Sequence, residues 1–195
     1  MDEARNATRI WEVCQECAGA IWGRVAPNAG YQRAVGELLF GTACVESDLR
    51  LHRQKGLAFW SERGGFSKWQ LELTSIEESA RWILDRSALK RRCTNWLFDV
   101  GAVFATAFDH GEEPTVAPWL YGQHEEILFA MTLRENDRIG ALFARLHYLR
   151  VAAPVPRTVG EQAAYWKQWY NTESGKGTVG QYLEKWGKYR DLVIE

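Results

Sequence analysis

The stretch "GELLFGTACVESDLR", residues 36–50, places a carboxylate where it could do acid–base chemistry. Apolar residues at Ala34, Val35, Leu38, Leu39 and Val45 recur at helical spacing, and Glu46 closes the run. A carboxyl at a helix C-terminus feels the negative end of the backbone dipole, which disfavours ionisation. Apolar neighbours and nearby Trp would desolvate it and push in the same direction. A carboxylic acid kept protonated near neutral pH is what cleavage of a glycosidic bond asks of its general acid. Glu also ends many helices without any catalytic role, so Glu46 alone points to no activity. An inverting hydrolase would need a second carboxylate roughly 6.5–9.5 Å away to activate water. Asp48, Glu62 and Glu72 are the candidates, and solvated loop charge is the expectation for Asp48 and Glu62.

The elements that must hold Glu46 are mostly helical. Residues 5–23 and 31–46 carry a 3.6-residue apolar period, with "APNAG" as the loop between them. Residues 47–73 lose that period and alternate short apolar pieces with glycines and charges, as loops or a small hairpin would. A helix is predicted after Thr74 or Ser75 as N-cap, and a largely buried one over 88–108. "DHGEEPTVAPW" breaks the latter, and "HEEILFAMTLREN" and "RIGALFARLHYLRVA" are two further amphipathic helices. "VGEQAAYWKQWYN" reads as a helix ending at Asn171, and "VGQYLEKWGKYR" as the last one. The expected fold is therefore α+β, predominantly α-helical, with a loop or hairpin insert after the Glu-bearing helix. One domain over 1–195 is expected, with a core of about 32–175, an N-terminal helix in 1–30 and a C-terminal helix in 178–195.

Further elements follow Glu46-Ser47 in order. Gly65-x-x-x-Trp69-Gln70-x-Glu72 comes next, then Asn136-x-x-Ile139-Gly140, then Tyr170-Asn171 at a helix end before glycines. This ordered set resembles the lysozyme-like superfamily, of the soluble lytic transglycosylase type. There a helix ends in Glu-Ser, and Gly-Leu-Met-Gln-like, Asn-Ile-x-x-Gly-like and Ala-Tyr-Asn-x-Gly-like elements follow. Trp69 stands where that family has methionine, with one extra residue, and "YNTESGKG" is looser than the family's Tyr-Asn-x-Gly. "ARLHYLR" and "YWKQWYNT" look like lysozyme-like proteins of tailed-phage virions. The resemblance implies that Glu46 is the acid/base and that Ser47 orients it or touches substrate. It implies that Trp69, Gln70 and Tyr170 bind substrate beside Glu46, and that Asn171 holds the helix end or the N-acetyl group. It further implies a lytic transglycosylase that needs no second carboxylate, because the sugar's own 6-hydroxyl attacks; Glu72 would then be dispensable.

The expected target is the β-1,4 bond between N-acetylmuramic acid and N-acetylglucosamine in peptidoglycan strands. The expected location is the virion, assembled in the host cytoplasm beside other virion proteins. The alternatives are a structural virion protein with this fold and little activity, and a helical interaction protein in which Glu46 would pair with a base such as Arg50.

Other function classes find little support in the composition. The 24 basic and 25 acidic residues give a net charge of −1, so no field favours nucleic acid. There is no apolar run long enough for membrane insertion, and "MDEARNATRIWEV" lacks the basic start and apolar stretch of a secretory signal. Cys14 and Cys17 form a lone C-x-x-C, and with Cys44 and Cys93 they read as reduced structural thiols. His52, His110, His124 and His147 show no metal-ligand spacing, so neither metal nor cofactor is expected. Ten Trp residues fit either flat sugar-binding faces or a rich core.

Overall fold

The computed structural model describes residues 2–23, 28–50, 65, 67–98 and 136–193. Four helices precede the longest gap: α1 (Glu3–Ala20), α2 (Ala29–Ser47), α3 (Leu73–Leu84) and α4 (Ser87–Phe98). After it come α5 (Asp137–Arg150), α6 (Val159–Trp166), a π-helical turn (Lys167–Asn171) that continues α6, and α7 (Val179–Arg190). Among the described residues no sheet forms, and only Leu71 makes an isolated bridge.

The expected α+β class is thus corrected to all-α. Each described helix buries an apolar stripe of helical period against another helix, so no sheet is needed to close the core. The insert also departs from a hairpin where it is described. Ser67 and Gln70 both have positive φ, 62° and 48°, and the chain bends there instead of extending. Residues 51–64, with Glu62 and His52, lie outside the described residues, as do 99–135, with His110, His124 and "HEEILFAMTLREN". The helix predicted from Thr74 or Ser75 begins earlier, at Leu73, with Glu72 as an N-cap that makes no side-chain bond.

The core is organised around α2. Its residues from Ala34 to Cys44 are buried on almost every side, as befits a helix apolar all round. Packing partners α1, α5, α6 and α7 surround it. Gly41 makes the α7 crossing possible, because a Cβ there would run into the Tyr182 phenol. Where polar groups enter this core they find partners: Thr42 meets the Tyr148 hydroxyl at 2.8 Å and also donates to the Leu38 carbonyl. The four cysteines are free and buried, in keeping with structural thiols.

Both ends of α2 are fixed. The Asn28 side chain caps the start, accepting from the Tyr31 N–H. At the finish Asp48 adopts a left-handed conformation, φ 57° and ψ 30°. Its carboxylate is taken by Lys185 at 2.8 Å and by the Tyr189 hydroxyl at 2.8 Å, both from α7. The helix that carries Glu46 therefore cannot fray at the residue next to the site without releasing α7.

Candidate active site

Glu46 is the penultimate residue of α2 and is half-buried. Its carboxylate Oε1 accepts one hydrogen bond, from the Trp166 indole N–H at 3.0 Å. Burial pushes its pKa up to about 7, and the Trp166 N–H, which favours the charged form, offsets this only in part. Arg50 does not reach it; that guanidinium pairs with Glu3 at 2.6 Å. A carboxyl in this setting can hold its proton close to neutral pH.

A cleft of about 400 Å³ opens on Glu46, and Gln70, Glu72, His147, Tyr170 and Asn171 are among the residues that line it. The three ordered sequence elements meet here, through contacts that spacing alone does not reveal. Trp69 is fully buried, and its indole N–H donates to the Leu39 carbonyl of α2 at 2.9 Å. Gly140 of α5 lets it in: a Cβ at that position would lie 2.8 Å from the Trp69 ring and 2.9 Å from the Ser67 hydroxyl. The Tyr170 hydroxyl donates to the Trp69 carbonyl at 2.7 Å, which joins the π-turn to the loop carrying Gln70. Gln70 folds its own amide back onto the Ser67 carbonyl at 2.8 Å. Beneath it, buried Lys68 pairs with Asp137 at 3.1 Å, and Arg9 also reaches that carboxylate. This pair fastens the loop to the first turn of α5.

Two expected substrate contacts are placed elsewhere. Trp69 is core and does not line the cleft, because its flat face is used against Gly140. Ser47 is buried and its hydroxyl donates to the Ala43 carbonyl one turn back, so it neither orients Glu46 nor faces the opening. Asn171 secures the end of the π-turn: its Oδ1 accepts from the Lys167 ammonium at 2.9 Å. Of the second-carboxylate candidates, Asp48 is committed to α7, whereas Glu72 stands exposed at the rim of the cleft.

The chain matches no family model, no curated protein and no solved structure.

His147 is the cleft residue that sequence reasoning passed over. Its Nδ1 meets the Ser75 hydroxyl of α3 at 3.1 Å, and its Nε2 meets the Trp169 carbonyl at 2.8 Å. A carbonyl can only accept, so Nε2 carries the proton and Nδ1 accepts from Ser75. Burial holds the imidazole below its usual pKa and keeps it neutral. Its edge lies against Tyr170, with ring centroids 4.9 Å apart. His147 thereby anchors α3 and the π-turn at once. Its three partners lie 72, 22 and 23 residues away, and the only available signal was that "LHY" falls on the buried side of an amphipathic helix.

The Glu46 environment sets a pH dependence of stability. The folded state holds this proton up to about pH 7, whereas the unfolded chain releases it near its ordinary value of 4.5. The contribution is therefore fully favourable below about pH 4.5 and is lost as pH rises through 7. Glu46→Gln, which cannot ionise, should gain stability relative to the wild type between pH 5 and pH 8. Urea unfolding of both proteins at the two pH values checks this, and a difference that does not change with pH would mean that Glu46 is well solvated.

Proposed function

We propose that the protein cleaves peptidoglycan glycan strands at the β-1,4 bond between N-acetylmuramic acid and N-acetylglucosamine, as a lytic transglycosylase carried in a tailed-phage virion. The observation that carries this reading is the Glu46 carboxyl, which burial brings to a pKa of about 7 on the wall of a cleft it shares with Gln70 and Tyr170. The virion setting, among other virion proteins, rests on the sequence resemblance alone.

The chemistry follows from one carboxyl used twice. Glu46 gives its proton to the bridging oxygen as the bond from C1 breaks, which leaves an oxocarbenium-like muramic acid and a carboxylate. The 6-hydroxyl of the same sugar then attacks C1 while the Glu46 carboxylate takes its proton. The acid is restored and a 1,6-anhydro ring closes. Gln70 and Asn171 supply amide hydrogen bonds along the sugar, and Tyr170 holds the Gln70 loop through the Trp69 carbonyl. An intramolecular hydroxyl has a high effective concentration, so it competes well against water that no base activates.

A hydrolytic variant of this reading is favoured by Glu72, a second carboxylate on the same cleft. Mass analysis of purified sacculi after digestion separates the two. Transglycosylation gives anhydro-muropeptides, lighter by one water than reducing-end products, and Glu72→Gln should then change the rate less than about twofold. Reducing ends, lost together with activity in Glu72→Gln, would identify a two-carboxylate lysozyme. Intact sacculi at high protein concentration would instead favour a structural virion protein.

A further inference from the structure

Glu46 has a second open side. A smaller cavity of about 230 Å³ lies there, and Glu46, Trp166, Asn171, Gly177, Gln181 and Lys185 are among the residues that wall it. Gly177 keeps the wall tight, because a Cβ at that position would come 2.5 Å from the Trp166 ring. Glu46 and Asn171 line both this cavity and the larger cleft.

The groups this cavity offers are donors. Asn171 Oδ1 is occupied by Lys167, so its amide N–H groups remain to face a ligand. Gln181 Oε1 is occupied by the Thr178 N–H, which leaves the same kind of group. Lys185 contributes an ammonium, shared with Asp48 at 2.8 Å. The surroundings do not neutralise it. Lys185, Lys188 and Arg50 are divided between two carboxylates, Asp48 and Glu3, which leaves one positive charge in excess. Behind Asn171 stands Lys167, whose ammonium donates to Asn171 Oδ1, the Thr172 carbonyl and the Gly175 carbonyl, all uncharged acceptors. The one acid on the wall, Glu46, is neutral whenever it is ready to donate its proton. An ammonium and two amide donors around a small hollow select an anionic acceptor.

We propose that this second cavity is a carboxylate subsite, which holds the acidic peptide branch of muramic acid while Glu46 acts on the neighbouring glycosidic bond. The proposal rests on the reading of Glu46 as a glycan acid, and it makes peptide-bearing strands the true substrate. Lys185 is then a specificity residue, and the carboxylate it binds sits beside the protonated form of Glu46.

The test compares glycan strands that keep their peptides with strands stripped by an amidase and then converted to the primary amide at the lactyl carboxyl that the amidase frees. The wild type should cut the peptide-bearing strands roughly fivefold faster in kcat/KM, the scale of one partly exposed charge pair. That preference should shrink at about 0.5 M salt, where the Debye length is only a few ångströms. Lys185→Gln should lose the preference and Lys185→Arg should keep it. Lys188→Gln removes the excess charge of the same cluster without touching the cavity wall, and should weaken the preference less than Lys185→Gln does. Equal rates on both substrates, or a preference that survives in Lys185→Gln, overturns the subsite while leaving glycan cleavage standing. If neither strand is cut, the glycan-acid reading fails, and calorimetry with N-acetylmuramyl-L-alanyl-D-isoglutamine decides the subsite by itself. Binding to the wild type that is lost in Lys185→Gln supports it, and absence of binding to the wild type sinks it.

Discussion

Glu46→Gln should lower wall cleavage by about 10²-fold or more, because it keeps the shape of the side chain and removes its transferable proton. The Trp166 N–H still finds an oxygen acceptor in the amide, so the neighbourhood of the site is preserved. The variant should fold, and above pH 7 it should be the more stable of the two. Release of soluble muropeptides from sacculi, followed at pH 6, measures the loss. Wild-type rates in this variant would remove Glu46 from the chemistry and point to Glu72, an exposed carboxyl at the cleft that holds no ion pair among the described contacts. The protonated fraction of Glu46 falls as pH rises through about 7, so wild-type activity should fall over the same range.

Trp69→Ala should be the most damaging single truncation near the site. The side chain is fully buried, its N–H is bonded to Leu39, and Gly140 is shaped to receive it. Truncating a buried Trp to Ala costs about 3–5 kcal/mol, a large share of the stability of a small domain. Activity should fall too, since the Trp69 carbonyl that Tyr170 holds belongs to the loop that presents Gln70. Trp69→Phe keeps a six-membered ring but gives up the hydrogen bond and part of the indole, so it should cost less than Trp69→Ala, about 1–3 kcal/mol. Urea unfolding of the three proteins checks the order. A cost below about 1 kcal/mol for Trp69→Ala would show that the loop is not anchored through this side chain.

Much of the helical framework was readable because it depends on local periodicity. α2 and α5, the helix end at Asn171 and the position of Glu46 at the finish of its helix lie close to where the apolar spacing puts them, although the π-helical form of the last turn before Asn171 was not readable. The absence of a sheet among the described residues was not readable, since short apolar pieces between glycines look alike whether they pair or simply bend. Trp69 shows the same limit at the level of one residue. A tryptophan beside glycines suits a sugar platform, and only the cavity opposite Gly140, 71 residues later, makes it core. Ser47 turned inward because its nearest acceptor is its own helix, an option open to any serine there. His147 went unnoticed because its partners come from two other segments, α3 and the π-turn.

The π-turn has a meaning for how such a chain can vary. A π-turn holds one residue more than the α-helix around it requires, so in evolutionary terms it behaves as a tolerated one-codon insertion. Each helical residue turns the chain by about 100°. Deleting Gln168 would let α6 continue as plain α-helix and would swing Tyr170 and Asn171 about a quarter of the way round the axis, away from Glu46. The helix would keep its apolar stripe through Trp166, while the edit would remove Tyr170 and Asn171 from the site. Length in this five-residue segment is therefore constrained by the cleft as well as by the core that Tyr170 packs against. Among chains that share the fold, a missing residue here would distinguish those that have kept only the scaffold.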